Sequence, residues 1–248
     1  LMDAMVSVES TKNDLKSFNE YLTGEESGAA DYISAIQYTY GVEPQVYSET
    51  ATDGLYRVNP SSVFDDVGMT GTSDGTGGGS SMMSMMMSTR NMDVWSEILD
   101  NQELLDSQYD VIAGRWPDRY DEIILVVDSN NEINDLYMYT LGLKDPAEVP
   151  DAFKAVMSGE TVNSQQVSYS YDEILNMTYK IVLPTDYYSH DGESGACVDM
   201  RDNETYMDYI VKNGVTLHVV GIIRPKEDAV ATEITGAVGY TGALTEYI

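Results

Sequence analysis

The stretch Tyr109–Leu143 reads YDVIAGRWPDRYDEIILVVDSNNEINDLYMYTLGL, and it decides how the middle of the chain folds. Its first part predicts a short strand at Val111–Ile112, which is followed by the Gly-Arg-Trp-Pro turn of Gly114–Pro117. The next part, Asp121–Asp128, contains the continuous apolar run Ile-Ile-Leu-Val-Val. Such a run is typical of a strand that is buried on both faces, so we expect a strand-turn-strand unit here.

Further strands and short helices are predicted on both sides of this unit. Helical spacing covers Asn134–Leu141, and a second short helix is predicted from Asp93, with Val94 and Ile98 facing inward. The apolar run Val215–Ile223 predicts a late strand. Because strands and helices follow each other without the strict βαβ rhythm, the pattern favours an α+β fold with mixed sheets and short helices.

The chain is strongly acidic, and this excludes two classes of partner. Its 248 residues carry 13 basic and 42 acidic side chains, for a formal net charge of −29. Nucleic-acid binding requires clustered Lys and Arg, so no nucleic-acid partner is expected. Docking on anionic lipid is disfavoured for the same reason. The charge either keeps the protein soluble by self-repulsion or attracts cations and cationic peptides.

The sequence contains no recognisable catalytic set. Cys197 is the only cysteine, and a lone cysteine is usually a small buried hydrophobic residue. Neither His190 nor His218 is paired with it by any motif. Ser194 lies in Gly-Glu-Ser-Gly, which lacks the Gly-x-Ser-x-Gly spacing of a nucleophile elbow. We therefore expect a protein without catalytic residues and without a bound cofactor.

One motif and the number of histidines bear on metal binding. Asp128-x-Asn130-x-Glu132 begins like a calcium loop, but the sixth position holds Ile133 instead of Gly, and the twelfth holds Tyr139 instead of a bidentate acid. An acidic turn between a strand and a helix explains this segment. Two histidines are too few for a usual zinc site, so no such metal is expected.

The segment 68–91 is rich in Gly, Ser and Met and is predicted to be a flexible loop. Its methionines form a cluster, and thioethers are soft ligands that prefer Cu(I). The same side chains also form adaptable apolar surfaces. A flap on the domain, disorder, contact with a partner or membrane, and copper binding therefore all stay open. The cluster consists of Met82, Met83, Met85, Met86 and Met87.

Taken in order, the turn, the helix end and the late strand resemble the extracytoplasmic core domain of MacB/FtsX-type ABC transporter permeases. The resemblance covers Tyr109–Leu143 and Val215–Pro225 best, about a fifth of the chain. It departs from better-known members in the Gly/Ser/Met insertion and the heavy acidity. The signature residues are Gly114, Arg115, Pro117, Leu141, Gly142, Val219, Val220 and Gly221.

This resemblance implies a two-lobed domain of the MacB type. One lobe is expected to combine the two ends of the chain, residues 1–105 and 215–248, and to contain the loop 68–91. The second lobe is expected to span residues 106–214. The signature residues are expected to fix the scaffold. Arg115 could stack on Trp116 or pair with an acid such as Asp118 or Asp121; we expect it to hold the turn, and contact with a partner is the alternative.

The resemblance also implies a non-catalytic role in export or mechanotransmission. Such domains lie outside the cytoplasmic membrane of bacteria, at the cell surface, between two transmembrane helices. The chain shows neither a signal peptide nor an apolar run of about 20 residues, and it begins Leu-Met and ends Glu-Tyr-Ile without natural terminal signals. We therefore interpret it as a piece of a longer protein, which the resemblance implies is membrane-anchored. ATP would be hydrolysed by a separate ABC ATPase subunit or domain, and the partner outside would be a peptide, a lipoprotein or a cell-wall protein. The alternative is a secreted or surface-anchored binding module for a peptide or glycan.

Overall fold

The computed structural model describes most of the chain in two compact units, which comprise residues 1–38 and 39–248. The described residues are 13–24, 27–29, 32–33, 35–38, 40–48, 55–60, 94–145, 148–149, 167–192, 195–229, 231–234 and 236–248. The predicted loop 68–91, with its methionine cluster, lies outside the described residues. The copper, flap and partner interpretations of that cluster therefore stay predictions.

Among its described residues, the first unit contains one regular helix, α1 (Leu15–Thr23). The Asp14 side chain forms the N-cap by accepting a hydrogen bond from the Ser17 amide at 3.0 Å, which satisfies one of the free amides of the first turn. Gly24 follows as the C-cap. None of the side chains of α1 is buried within the described structure.

The second unit carries the main sheet. Its strands are β1 (Gln45–Ser48), β2 (Tyr56–Asn59), β3 (Trp95–Glu97), β4 (Tyr109–Gly114), β5 (Glu122–Val126), β6 (Thr178–Val182), β7 (Tyr188–His190), β8 (Cys197–Asp199), β9 (Val215–Pro225) and β10 (Val238–Tyr240). Its α-helices are α2 (Gln102–Gln108), α3 (Asp135–Thr140), α4 (Tyr171–Leu175), α5 (Glu204–Asn213) and α6 (Gly242–Tyr247). A 3₁₀ turn covers Pro184–Tyr187.

Eight of these strands form one mixed sheet in the described part of the chain. Seven of them follow the order β2-β1-β6-β9-β5-β10-β3. The eighth strand, β4, pairs with β9 on the same edge as β6. The pairs β5–β9 and β3–β10 are parallel, whereas the other neighbours are antiparallel. Strands β7 and β8 form a separate two-stranded ribbon. The predicted α+β class with mixed sheets and short helices is therefore confirmed.

Strand β9 is the centre of the sheet because it pairs with three other strands. Its first residues, Val215–His218, lie beside β6, and its last residues, Gly221–Pro225, lie beside β4. On the opposite edge it runs parallel to β5 over His218–Ile223. A strand with neighbours along both edges has its backbone hydrogen bonds satisfied in the sheet, which suits its deep burial.

The apolar run of β5 is buried on both faces, as its sequence predicts. Ile123 and Leu125 pack into the larger core cluster, together with Leu217 of β9. Ile124, on the other face, packs into a second cluster with Ile223. Successive strand residues point to opposite faces, so this short segment contributes to two cores at once.

The predicted helix at Val94–Ile98 is wrong, since the described part of this segment forms strand β3. Trp95 lies opposite Val238 in the parallel pairing with β10, and its side chain is only 6% exposed. The amide of Ile98 donates to the Tyr240 carbonyl at 2.8 Å. Pairing with β10 outweighs the weak local preference for a helix, because single-residue propensities are small beside tertiary burial.

Cys197 is exposed, contrary to the expected burial. It lies on β8, which pairs only with β7 and therefore contributes no core surface. His190 is its direct register partner across the ribbon, a neighbour that no sequence motif indicated. The ribbon geometry thus places the two side chains near each other without a buried environment around them.

We expect the Cys197 thiol to react in the native protein. Because the residue is exposed, Ellman's reagent should titrate one thiol per chain without denaturant, at the rate found after unfolding within about tenfold. Cys197→Ser supplies the zero-thiol control. A thiol that reacts only after denaturant is added would show that the ribbon is covered.

In the part of the chain that the structure describes, no helix combines the length and the apolar character needed to cross a bilayer.

The main sheet contains strands from both predicted lobes, since β9 and β10 lie at the end of the chain and β4, β5 and β6 lie in its middle. The lobe boundaries 1–105 plus 215–248 and 106–214 stay a prediction.

Candidate functional site

The two halves of the sequence signature meet where the end of β4 crosses β9. Gly114 is the register partner of Gly221, and the amide of Arg115 donates to the Val220 carbonyl at 2.9 Å. A Cβ atom on Gly114 would lie 2.1 Å from the Val220 carbonyl oxygen, and one on Gly221 would lie 2.1 Å from the Arg115 carbonyl oxygen. Each glycine therefore allows a backbone approach that a side chain would block.

The backbone angle of Gly114 is a second reason why this position needs a glycine. Its φ angle is +70°, in the left-handed region that glycine adopts at no steric cost. This conformation turns the chain from β4 into the Arg115–Asp118 segment. Pro117 is half-buried within this turn. Val219, the remaining residue of the late signature, is 4% exposed and belongs to the larger core cluster.

Arg115 holds the turn mainly through Glu122, the first residue of β5. Its two terminal nitrogens donate to the two oxygens of that carboxylate, Nη1 at 2.8 Å and Nη2 at 2.5 Å. Nη1 also donates to the Trp116 carbonyl at 2.9 Å and lies 3.4 Å from Asp118 Oδ1. The Arg115–Asp118 pairing is confirmed, whereas Asp121 pairs with Arg119 instead.

Glu122 is the residue that sequence reasoning missed at this site. Its side chain is only 9% exposed, and its carboxylate also accepts a hydrogen bond from the Asp118 amide at 3.0 Å. The sequence feature that could have revealed Glu122 is its position directly before an apolar run that is buried on both faces. A carboxylate at such a place is seldom buried without a cationic partner, and the sequence offers Arg115 and Arg119 close before it.

The hydrogen bonds from Arg115 lower the pKa of Glu122 to about 2, against the opposing effect of burial. The same interaction raises the pKa of Arg115 above its usual value. Both groups therefore stay charged through the neutral range, and the pair neither donates nor accepts a proton there. Its chemistry is that of a structural clamp between the turn and β5.

The third part of the signature, Leu141–Gly142, ends helix α3. The Leu143 amide donates to the Met138 carbonyl at 2.8 Å, and the Gly142 amide donates to the Tyr139 carbonyl at 3.1 Å. This pair of bonds is a Schellman motif, with Gly142 at φ +70°. Leu141 is 1% exposed and anchors the helix end in the core.

Replacing Gly142 by alanine should destabilise the protein by about 1 kcal/mol, because φ +70° is strained for a residue with a Cβ. Asparagine tolerates this conformation better, so Gly142→Asn should cost less. Urea unfolding of both variants measures the difference. Equal losses for the two would show that crowding against Ser48, and not the backbone angle, sets the cost.

The Asp128–Glu132 segment forms an acidic turn, as expected. The Asp128 carboxylate accepts hydrogen bonds from the amides of Asn130 and Glu132, both at 2.8 Å, so it caps the loop after β5. Asn131 takes a positive φ of 62° within this turn. Among the described residues, no group of three or more His, Cys, Asp or Glu side chains is arranged to hold a metal ion.

A cleft of about 630 Å³ opens between this turn, helix α3 and the segment that enters helix α4. Its lining is mixed. The polar residues are Asn130, Asn131, Glu132, Asp135, Lys144 and Ser168. The apolar and aromatic residues are Val127, Ile133, Met138, Val167, Tyr169, Tyr171 and Ile174. This volume lies within the range of small-ligand sites, so the cleft is the candidate binding site of the described structure.

Two of the residues that line this cleft, Lys144 and Asp135, form an ion pair. Lys144 Nζ donates to Asp135 Oδ1 at 2.8 Å and lies 5.6 Å from the centre of the Tyr139 ring. The Lys144 side chain is only 8% exposed, whereas that of Asp135 is 56% exposed. The cation is therefore sheltered, and it is the carboxylate that faces solvent.

Comparison with known proteins identifies no relative of this chain. No protein-family model, no curated protein and no solved structure matches it. The resemblance to permease domains therefore stays a prediction, and a function has to be inferred from the residues and contacts described above.

Proposed function

We propose that this chain is the non-catalytic extracytoplasmic domain of a MacB/FtsX-type ABC transporter permease, with a role in export or mechanotransmission. One observation carries the proposal: two signature segments far apart in the sequence meet at the Gly114–Gly221 crossing. Segments that share one close backbone contact are constrained together, which gives a physical reason for the order of motifs on which the resemblance rests.

The contacts at the signature support a mechanical role. Arg115 and Glu122 lock the turn onto β5, and the neighbouring crossing locks the same turn onto β9. A segment tied to two central strands moves with the sheet as one body. Rigid elements of this kind transmit displacement between a membrane part and an external partner, whereas loosely held loops dissipate it.

In this proposal the domain has the two-lobed MacB architecture and carries no chemistry of its own. A separate ABC ATPase subunit or domain hydrolyses ATP on the cytoplasmic side. The external domain passes motion to, or receives it from, a peptide, a lipoprotein or a cell-wall protein. It is held at the outer side of the bacterial cell membrane by the rest of the permease.

The proposal is tested on the complete gene product. Apolar segments of about 20 residues are expected on both sides of this chain. The full-length protein should sediment with membranes, resist extraction by high salt and carbonate, and co-purify with a nucleotide-binding ATPase. Recovery of the full-length protein in the soluble or wall-attached fraction, without an ATPase partner, would refute it.

A second candidate function, a secreted or surface-anchored binding module for a peptide or glycan, is favoured by the cleft beside helix α3. A mixed polar and apolar concavity is typical of ligand sites. A secretion signal before the chain and a wall anchor after it would support this alternative. Paired membrane spans would support the permease domain instead.

A further inference from the structure

The cleft beside helix α3 presents negative charge at its rim. Glu132 is exposed and takes part in none of the ion pairs of the described residues; the nearby Arg224 donates to the Asn131 side chain at 3.1 Å instead. The Asp135 side chain is more than half exposed, although it pairs with Lys144. An incoming cation therefore meets one carboxylate without an ion pair and one that is partly shared.

The cleft lining also contains apolar and aromatic residues. Met138 and Ile174 are 7% and 6% exposed and form a buried floor. Tyr171 and Val167 are more than 40% exposed and offer accessible apolar surface beside it. The Tyr169 hydroxyl donates to the Leu143 carbonyl at 2.5 Å, which holds that ring in place.

Charge selects among the ligands that such a cleft could take. The chain carries a net charge of −29, so anionic peptides, nucleotides and phosphates are repelled over long range. A neutral glycan could stack on tyrosine and donate hydroxyl hydrogen bonds to the carboxylates, but without charge it gains nothing from the negative field of the protein. A basic side chain gains from the negative charge of Glu132 and Asp135.

We propose that this cleft binds a peptide segment in which a Lys or Arg side chain stands next to an apolar residue. The basic group lies between Glu132 and Asp135, and the apolar neighbour packs over Met138, Ile174 and Tyr171. A volume of about 630 Å³ accommodates two or three residues of such a segment. The inference uses the cleft residues alone, so it holds or fails independently of the membrane context.

Titration of the 248-residue chain with a defined peptide tests the proposal. The probe is acetyl-Leu-Arg-Leu-Lys-Leu-amide, followed by calorimetry and by amide chemical shifts. Binding should perturb the resonances of residues 130–135 and 167–171. An analogue with citrulline and norleucine in place of Arg and Lys should bind about tenfold more weakly, because it keeps the apolar part and loses the charge.

A matched pair of variants separates the cleft from the general acidity of the protein. Glu132→Gln and Glu227→Gln each remove one exposed carboxylate, and only the first lies in the cleft. Glu132→Gln should weaken binding about fivefold or more, whereas Glu227→Gln should change it less than twofold. Tyr171→Ala should weaken the basic and the neutral peptide alike, since it removes apolar contact.

Three results would overturn the inference. The first is equal weakening by Glu132→Gln and Glu227→Gln, which indicates unspecific attraction by the net charge. The second is tighter binding of a neutral oligosaccharide such as chitotetraose at the same resonances, which indicates a glycan site. The third is no saturable peptide binding at millimolar concentration. A flanking sequence without membrane spans would refute the permease proposal and leave this binding result intact.

Discussion

Gly221→Ala is expected to destabilise the protein by about 3 kcal/mol or more, the largest effect of any substitution considered for this chain. The added Cβ would lie 2.1 Å from the carbonyl oxygen of Arg115 and 3.0 Å from its carbonyl carbon. Both are backbone atoms, so no side-chain rotation relieves the clash. Either β9 or the turn after β4 has to move, and this breaks the Arg115–Val220 hydrogen bond.

Urea unfolding followed by circular dichroism measures this loss as a lower midpoint. Gly41→Ala is the matched control, because among the described residues no atom beyond the two chain neighbours lies within 4 Å of a Cβ at that position. Its effect should stay below about 1 kcal/mol in either direction. If Gly221→Ala is too unstable to purify while Gly41→Ala folds normally, the prediction stands. A loss below 1 kcal/mol for Gly221→Ala would contradict the close crossing.

Glu122→Gln is expected to have the second largest effect, a loss of about 1–2 kcal/mol at neutral pH. The substitution keeps the shape of the side chain but removes the negative carboxylate, whose two oxygens each accept a hydrogen bond from Arg115. The Arg115 side chain is 52% exposed, so solvent screens the pair and limits the loss. The acceptor for the Asp118 amide is retained by the glutamine oxygen.

The pH dependence of this effect follows from the direction of the pKa shift. The pKa of Glu122 falls from 4.5 to about 2 on folding, so its carboxylate binds fewer protons in the folded state. Its contribution is fully present above about pH 5 and is lost as the pH falls from 4.5 through 2. The stability difference between wild type and Glu122→Gln should therefore be constant from pH 7 to 5 and shrink towards pH 2.

Urea midpoints at pH 7, 5, 4 and 3 measure this difference. Glu227→Gln is the control for loss of an exposed carboxylate and should stay within about 0.5 kcal/mol of wild type at pH 7. A difference between wild type and Glu122→Gln that persists undiminished at pH 3 would show that shape, and not charge, holds the turn.

Local sequence pattern predicted the elements whose formation depends on neighbouring residues. The continuous run in Ile123–Val127 correctly indicated a strand buried on both faces, since such a run leaves no side for solvent. The end of helix α3 was predictable from Gly142, because a Schellman motif needs a residue that adopts a positive φ. Both inferences rest on interactions within a few residues.

Elements that depend on distant pairing were not predictable in the same way. The short segment around Trp95 became strand β3 only because β10, far along the chain, offers a free edge. Cys197 is exposed because the ribbon of β7 and β8 stands outside the main sheet. Hydrophobicity alone does not reveal which strands will find partners.

The same distinction between local and long-range interactions applies to the candidate sites. The sequence by itself determined the acidic charge, the α+β pattern and the glycine that ends helix α3. Only the tertiary structure brought Gly114 against Gly221, gave Arg115 its partner Glu122, and placed Glu132 and Asp135 on the rim of one cleft. The physical reason is that backbone propensities act over a few residues, whereas close crossings, ion pairs and clefts arise from segments that meet only when the sheet has formed.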